Sequence, residues 1–268
     1  MIYKIINSLK KRVKFYKEIL LQYSDEKTIF IYQMGKVGST SLELALPNAV
    51  HVHAFYSKNH TCPVRLKGLA KFGFKHFIYR VEQELLALLL RRAFKSRTHT
   101  KIITLVRDPQ ARNISMFFHD LDAYLFAAHT NCLNTREAPL PTRCQNADVL
   151  VDIFNQEFDH QYALNWFDEE FIPMTGIDVY CQAFNKEDGF TFLENDKTSV
   201  LCIRTDKLST CTEQIKQFTG ENIELQYENK AEGKWYESIY RHFKSAYEYE
   251  PDLLAKQKTS KFYKHFFD

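Results

Sequence analysis

The sequence predicts an α/β fold in which a parallel sheet is flanked by helices, and three observations predict it. Two short runs of β-branched and aromatic residues, Ile29–Tyr32 and Lys101–Val106, have the composition of strands buried on both faces. Each passes through a brief loop straight into helix formers, Ser41–Leu46 in the first case and Gln110–Phe118 in the second. Between them Val81–Phe94, VEQELLALLLRRAF, reads as a crossover helix, with Arg91, Arg92 and Lys95 at the end where the helix dipole favours cations.

At 268 residues, 45% of them hydrophobic, with only 8 glycines and 7 prolines, the chain is long enough to bury one substantial core. A single domain over 27–268 is expected, preceded by a basic amphipathic helix over 1–26. In that helix Ile2, Ile5, Leu9, Val13, Tyr16 and Ile19 trace one face while Lys10, Lys11, Arg12, Lys14 and Lys17 lie elsewhere. It either packs on the domain or lies on an anionic membrane surface. No apolar run is long enough for a signal segment or a membrane span. The net charge of +3 suits an anionic ligand and falls short of a nucleic-acid surface. The 6 cysteines include no C-x-x-C pair, which points to reduced thiols in a cytoplasmic protein, with membrane association left open through residues 1–23. His129, Cys132 and Cys144 match no common zinc spacing, so no metal is expected.

The chain is organised around Lys27–Leu46, KTIFIYQMGKVGSTSLELAL. Strand, glycine loop and helix in succession place backbone N–H groups around an anion. Lys36 adds a positive charge, and Ser39, Thr40 and Ser41 add neutral donors. The stretch is not a Walker A loop, because Lys36 precedes Gly38 and no GK-[ST] tripeptide occurs in the chain. An ordinary glycine turn is the alternative. Asn48–Phe55, NAVHVHAF, reads as the second strand, with His51 and His53 on one face near its carboxyl end. In an open parallel sheet ligands bind there, so these imidazoles suit proton transfer, or else are hydrogen-bonded structural histidines. After Lys101–Val106, Arg107 and Ser115 are spaced to meet one phosphate from the strand end and the following helix, unless Arg107 and Asp108 form only a surface pair.

QMGKVGSTSL followed by LVRDPQARNIS resembles the PAPS-dependent sulfotransferases, PAPS being 3′-phosphoadenosine-5′-phosphosulfate. The spelling is most similar to a bacterial group of capsular polysaccharide synthesis proteins. The resemblance spans roughly 27–246 and rests on the two phosphate motifs. It implies a P-loop NTPase-like sulfotransferase fold and PAPS as co-substrate, held by Gly35, Lys36, Val37, Gly38, Ser39, Thr40 and Ser41 in the first loop. Arg107 and Ser115 match the second motif, which holds the 3′-phosphate. Methionine and glycine stand before Lys36 where the family has proline, and Asp108 replaces its asparagine. HVHAF occupies the place of the family's catalytic strand end, so His53 resembles the base and His51 falls where a lysine lies. Lys230 matches a late element that closes over the nucleotide, and Asp206 the acidic position of another.

Elsewhere a short helix is expected around Val64–Lys71, and an irregular acceptor-binding flap over 127–146. Asp148–Phe171 reads as one helix, His160 and Trp166 lying within it as acceptor contacts or core. Short strands are expected at Val179–Phe184, Phe190–Leu193 and Ser199–Thr205, and a helix at Tyr236–Tyr247. By resemblance, the function is sulfuryl transfer from PAPS to an acceptor hydroxyl, on a carbohydrate or polysaccharide, with Lys36 stabilising charge and no metal required. The rival readings are a P-loop kinase or NTPase and a non-catalytic nucleotide-binding assembly factor.

Overall fold

A computed structural model of the chain describes residues 2–56, 73–135, 147–225 and 233–268. Five strands form one sheet: β1 (Ile29–Tyr32), β2 (Val50–Val52), β3 (Thr100–Val106), β4 (Phe190–Glu194) and β5 (Thr198–Arg204), in the order β2-β1-β3-β5-β4. The first four in that order run parallel, and β4 lies antiparallel on β5. All four residues of β1 are buried, as the unbroken apolar run required. Because β2 lies on one side of β1 and β3 on the other, the connections diverge at β1 and open a crevice beyond the carboxyl ends of β1 and β3.

Helices cover the sheet: α1 (Ile2–Ser24), α2 (Thr40–Ala45), α3 (Gly73–Lys95), α4 (Pro109–His119), α5 (Leu121–Thr135), α6 (Ala147–Glu157), α7 (Tyr162–Trp166) and α8 (Ile172–Thr175). A π-helical turn, Phe167–Phe171, joins α7 to α8. A 3₁₀-helix, Thr205–Thr210, follows β5, and then come α9 (Thr212–Thr219), α10 (Glu237–Ala246), α11 (Pro251–Thr259) and α12 (Lys261–Phe266). Pro109 opens α4, and the Asp108 carboxylate caps it by accepting from Ala111 N–H at 2.9 Å.

One core was expected, and the buried apolar residues form two clusters. The larger surrounds the sheet and includes Tyr23 of α1. The smaller gathers Phe117, Phe118, Tyr124, Phe154 and Phe243 from α4, α5, α6 and α10, with Phe158 just after α6. Arg97, 3% exposed, ties α1 to the sheet: it donates to the carbonyls of Tyr23, Asp25, Glu26 and Thr28 and to Thr100 Oγ1.

Several expectations change. Helix α3 begins eight residues before Val81, and α5 continues to Thr135, so the expected irregular flap is helical over 127–135. Residues 136–146, the helix expected at Val64–Lys71 and Lys230 lie outside the described residues. The helix expected over Asp148–Phe171 is interrupted after Glu157, where the Asp159 carboxylate accepts from the N–H groups of Gln161 and Tyr162 and turns the chain. Val179–Phe184 is no strand, since a bend replaces the ladder and only Asn185 bridges to Phe190. Cys181, Cys202 and Cys211 are free thiols, the last two buried.

Candidate functional site

The residues after β1 make a loop whose backbone is fixed from three directions. Arg112 on α4 donates from Nε to the Gly35 carbonyl at 3.0 Å. Arg107, at the end of β3, donates to the Lys36 carbonyl at 2.9 Å. Thr205, at the end of β5, donates from Oγ1 to the Val37 carbonyl at 2.5 Å and lies 3.0 Å from the Val106 carbonyl. In a trans peptide the C=O of one residue and the N–H of the next point in opposite directions. Anchoring these three carbonyls therefore turns the N–H groups of Lys36, Val37 and Gly38 away from the anchors.

The conformation this imposes is unusual for a side-chain-bearing residue. Lys36 has φ 69° and Gly38 φ 89°, both in the left-handed region. A Cβ at Gly38 would stand 2.9 Å from Thr205 Cγ2, so the site needs glycine for space as well as for dihedral. Alternating backbone signs of this kind form the nests that receive anions. Val37 is buried, so its backbone alone faces the loop. Helix α2 has only six residues, so the turned amides, more than a helix dipole, are the donors this loop offers. The Ser39 hydroxyl donates to the Glu43 carboxylate. Thr40 and Ser41 are half-buried in the first turn of α2.

Both histidines reach this loop. Their rings meet edge to face with centroids 4.3 Å apart. His53 Nδ1 lies 3.1 Å from the Gln33 carbonyl, which can only accept, so Nδ1 carries the proton and Nε2 is the basic nitrogen of the neutral ring. Its Cε1 would be 4.0 Å from a Cβ on Gly35, which places the exposed imidazole against the glycine loop. His51 is oriented differently: Nδ1 faces the Glu43 carboxylate at 3.2 Å, and Nε2 lies 3.4 Å from the Gln33 amide nitrogen.

Behind the histidines a buried frame fixes the strand end. Trp166 Nε1 donates to the His53 carbonyl at 3.1 Å. Glu170, fully buried in the π-helical turn, accepts from Tyr32 O–H at 2.6 Å, Phe55 N–H at 2.5 Å and Tyr56 N–H at 3.3 Å. Burial, together with this carboxyl group, raises the Tyr32 hydroxyl pKa well above its ordinary value.

Arg107 is half-buried, burial lowers its pKa, and the contact with Lys36 uses one of its five N–H donors. Ser115 is half-exposed, two turns along α4. Arg112, 2% exposed, also donates to Asn113 Oδ1 and stacks on Tyr162 at 4.8 Å. His160 is a core residue rather than an acceptor contact: it is 5% exposed, its Nε2 donates to the Phe154 carbonyl at 2.8 Å, and burial lowers its pKa. Trp166 is likewise 2% exposed. Asp206 pairs with Arg204 at 2.5 Å, which lowers its pKa. The side chains of His129, Cys132 and Cys144 lie outside the described residues.

Arg112, Thr205 and Glu170 are not singled out by sequence as parts of this site, and Trp166, read there as an acceptor contact or core, is a buried support for the His53 carbonyl. An arginine five residues after Arg107 and a threonine ending an apolar strand carry no motif. Glu170 is the last of three consecutive acids, Asp168-Glu169-Glu170, and nothing local marks it as the one that turns inward.

Fold and site together define an α/β protein with a glycine loop at the switch point of a mostly parallel sheet, an arrangement suited to an anionic ligand. Residues 143–268 match a family model described as "Putative capsular polysaccharide synthesis protein". The match takes in the π-helical turn, β4, β5 and Thr205, and begins after the glycine loop, both histidines, Arg107 and Ser115. No curated protein and no solved structure matches the chain.

Proposed function

We propose that the protein is a sulfotransferase of the P-loop-like type, moving a sulfuryl group from PAPS to a hydroxyl on a carbohydrate acceptor. The observation that carries this reading is the loop itself: three carbonyls pinned outward, three amides turned the other way, and an imidazole whose basic nitrogen is fixed beside it. The donor set fits a doubly phosphorylated nucleotide, since the glycine loop and the Arg107–Ser115 pair offer two anion sites at neighbouring strand ends. PAPS, when bound, supplies the activated sulfuryl group.

The chain's own residues supply position and charge. The amides of Lys36, Val37 and Gly38 are preorganised to stabilise negative charge that grows during transfer, and the Lys36 ammonium adds a full positive charge to the loop. Their geometry does not have to be assembled at the moment of reaction, because Arg107, Arg112 and Thr205 already hold it. His53 Nε2 takes the proton of the acceptor hydroxyl, and the Nδ1–H bond to Gln33 keeps the ring in the tautomer that can do so. His51, held by Glu43, orients the acceptor. The match of residues 143–268 to a capsular polysaccharide synthesis family supports a polysaccharide as that acceptor.

Titration calorimetry tests the reading. Adenosine 3′,5′-bisphosphate should bind well and AMP at least about tenfold more weakly, since a charge-assisted contact is worth about 1.5–3 kcal/mol. Arg107→Ala should erase most of that difference. Equal affinities for the two nucleotides would remove the second phosphate site and with it the proposal.

A further inference from the structure

Helices α1 and α3 form an outward face that the core does not use. On α3, Phe74, Ile78, Val81, Leu85 and Leu88 follow one another at spacings of four, three, four and three, which is a single stripe. Their exposures are 75, 51, 50, 57 and 45%. At a helical rise of about 1.5 Å per residue the stripe is about 21 Å long. It faces away from the core, since Phe94 at the end of α3 is buried and Glu82 turns towards α1, where it meets Arg12 at 2.9 Å and Tyr16 at 2.5 Å. Val13 and Leu21 of α1 are 66 and 61% exposed. Helix α1 thus spends Tyr23 on the core and still presents apolar residues outward.

Charge is concentrated on the same two helices. Helix α1 carries six basic and one acidic side chains, and α3 five and two, so the pair holds a net +8. The whole chain has +3, which leaves −5 for all the rest. A second copy docked on these helices would set two strongly cationic surfaces against each other, and a neutral protein partner would leave exposed cations such as Lys10, Lys11, Lys14 and Lys17 unused. A bilayer of anionic lipid satisfies both features, taking the apolar stripe among its acyl chains and the lysines and arginines among its headgroups. No helix among the described residues is long and apolar enough to cross a membrane, so the contact is with its surface.

We infer that α1 and α3 together form a docking surface for an anionic membrane. The inference extends the membrane contact expected of residues 1–23 to the α3 stripe, while Val13, part of the apolar face read from the sequence, stays exposed on α1. The inference does not depend on the catalytic reading.

Sedimentation of the full chain with lipid vesicles tests it. The wild type should bind vesicles containing phosphatidylglycerol, bind pure phosphatidylcholine at least about tenfold more weakly, and lose most of its binding in high salt. Val81→Glu with Leu85→Glu should abolish binding while leaving the melting temperature nearly unchanged, because both side chains face solvent. Lys10→Glu, Lys11→Glu and Lys14→Glu combined alter exposed side chains and should weaken binding by about a hundredfold or more, with about a fifth of the affinity remaining per lysine. Failure of the wild type to bind either vesicle, or variants that bind as it does, would overturn the inference. So would a wild-type dimer that Val81→Glu and Leu85→Glu convert to monomer without any vesicle binding.

Discussion

Removing the Glu170 carboxyl group should damage the fold and the strand end that carries both histidines together, and the size of each effect follows from its partners. Glu170 is fully buried and accepts from Tyr32 O–H, Phe55 N–H and Tyr56 N–H. Glu170→Ala leaves the Phe55 N–H buried without this acceptor, at about 1–3 kcal/mol, while the Tyr32 O–H can turn to the main-chain carbonyl of residue 170, 3.2 Å away. With the space vacated by the side chain, the loss should be about 3–5 kcal/mol. At about 2–4 °C per kcal/mol for a chain of this size, the melting temperature should fall by about 10 °C. Glu170→Gln is the informative partner. Its carbonyl still accepts from Tyr32 and Phe55, but its NH₂ meets the Tyr56 N–H donor to donor, so about 1–2 kcal/mol should be lost. Calorimetry of both variants gives the stabilities. Turnover should fall in Glu170→Gln with bisphosphate affinity nearly unchanged, because the carboxyl group holds the segment after His53 and not the glycine loop. A Glu170→Ala protein melting within about 2 °C of the wild type, or a Glu170→Gln protein that loses nucleotide affinity instead of turnover, would refute this.

The other contacts give predictions of the same form. Thr205→Val keeps the shape and removes the hydroxyl from the Val37 carbonyl, so bisphosphate affinity should drop about 5–30-fold, the equivalent of one or two kcal/mol, as read by calorimetry. Gly38→Ala combines a left-handed φ with a 2.9 Å approach to Thr205 and should weaken binding and stability together, costing about 1–3 kcal/mol in denaturant unfolding. Arg97→Met strips the donors from four carbonyls at the junction of α1 and β1, and should cost more than about 4 kcal/mol in the same assay. For pH, burial lowers the pKa of both His160 and His265 from the ordinary 6.5. Above 6.5 both are neutral folded or unfolded and their contribution is complete; as pH falls below 6.5 the unfolded chain binds protons that the folded chain resists. Stability should therefore decline from pH 6.5 downward, with His160→Leu flattening that decline, as read by denaturant midpoints across the range.

How much of this could be read from the residues depends on the range of the interaction. β1, β3 and β5 were legible because continuous apolar runs bounded by charge have few other uses. The start of α4 was legible from Pro109, and the left-handed turn at Gly189 from Asp188-Gly189. What local pattern hides is a residue that acts across the sheet. Thr205 reaches back 168 positions to Val37, and Glu170 reaches 138 to Tyr32. Neither has a neighbour in sequence that announces the contact. His160 misleads for the opposite reason: a histidine in a polar stretch looks available, while Phe154, Phe158 and Tyr249 enclose it. The break after Glu157 was missed because Asp159 fits a helical pattern by composition and ends one by accepting from the backbone ahead.

Transfer of labelled sulfuryl from PAPS into a polysaccharide fraction, measured for the wild type, His53→Ala, His51→Ala and Lys36→Ala, tests the central claim most directly. The wild type should label the polysaccharide with or without a chelator. His53→Ala should lower the rate by about 10²–10⁴-fold, the range for a lost general base, and remove the acid limb of the pH–rate profile while nucleotide affinity holds. Lys36→Ala should lower the rate strongly, and His51→Ala less than His53→Ala. Absence of label from the wild type together with magnesium-dependent ATP turnover, or a His53→Ala protein as fast as the wild type, would contradict the account.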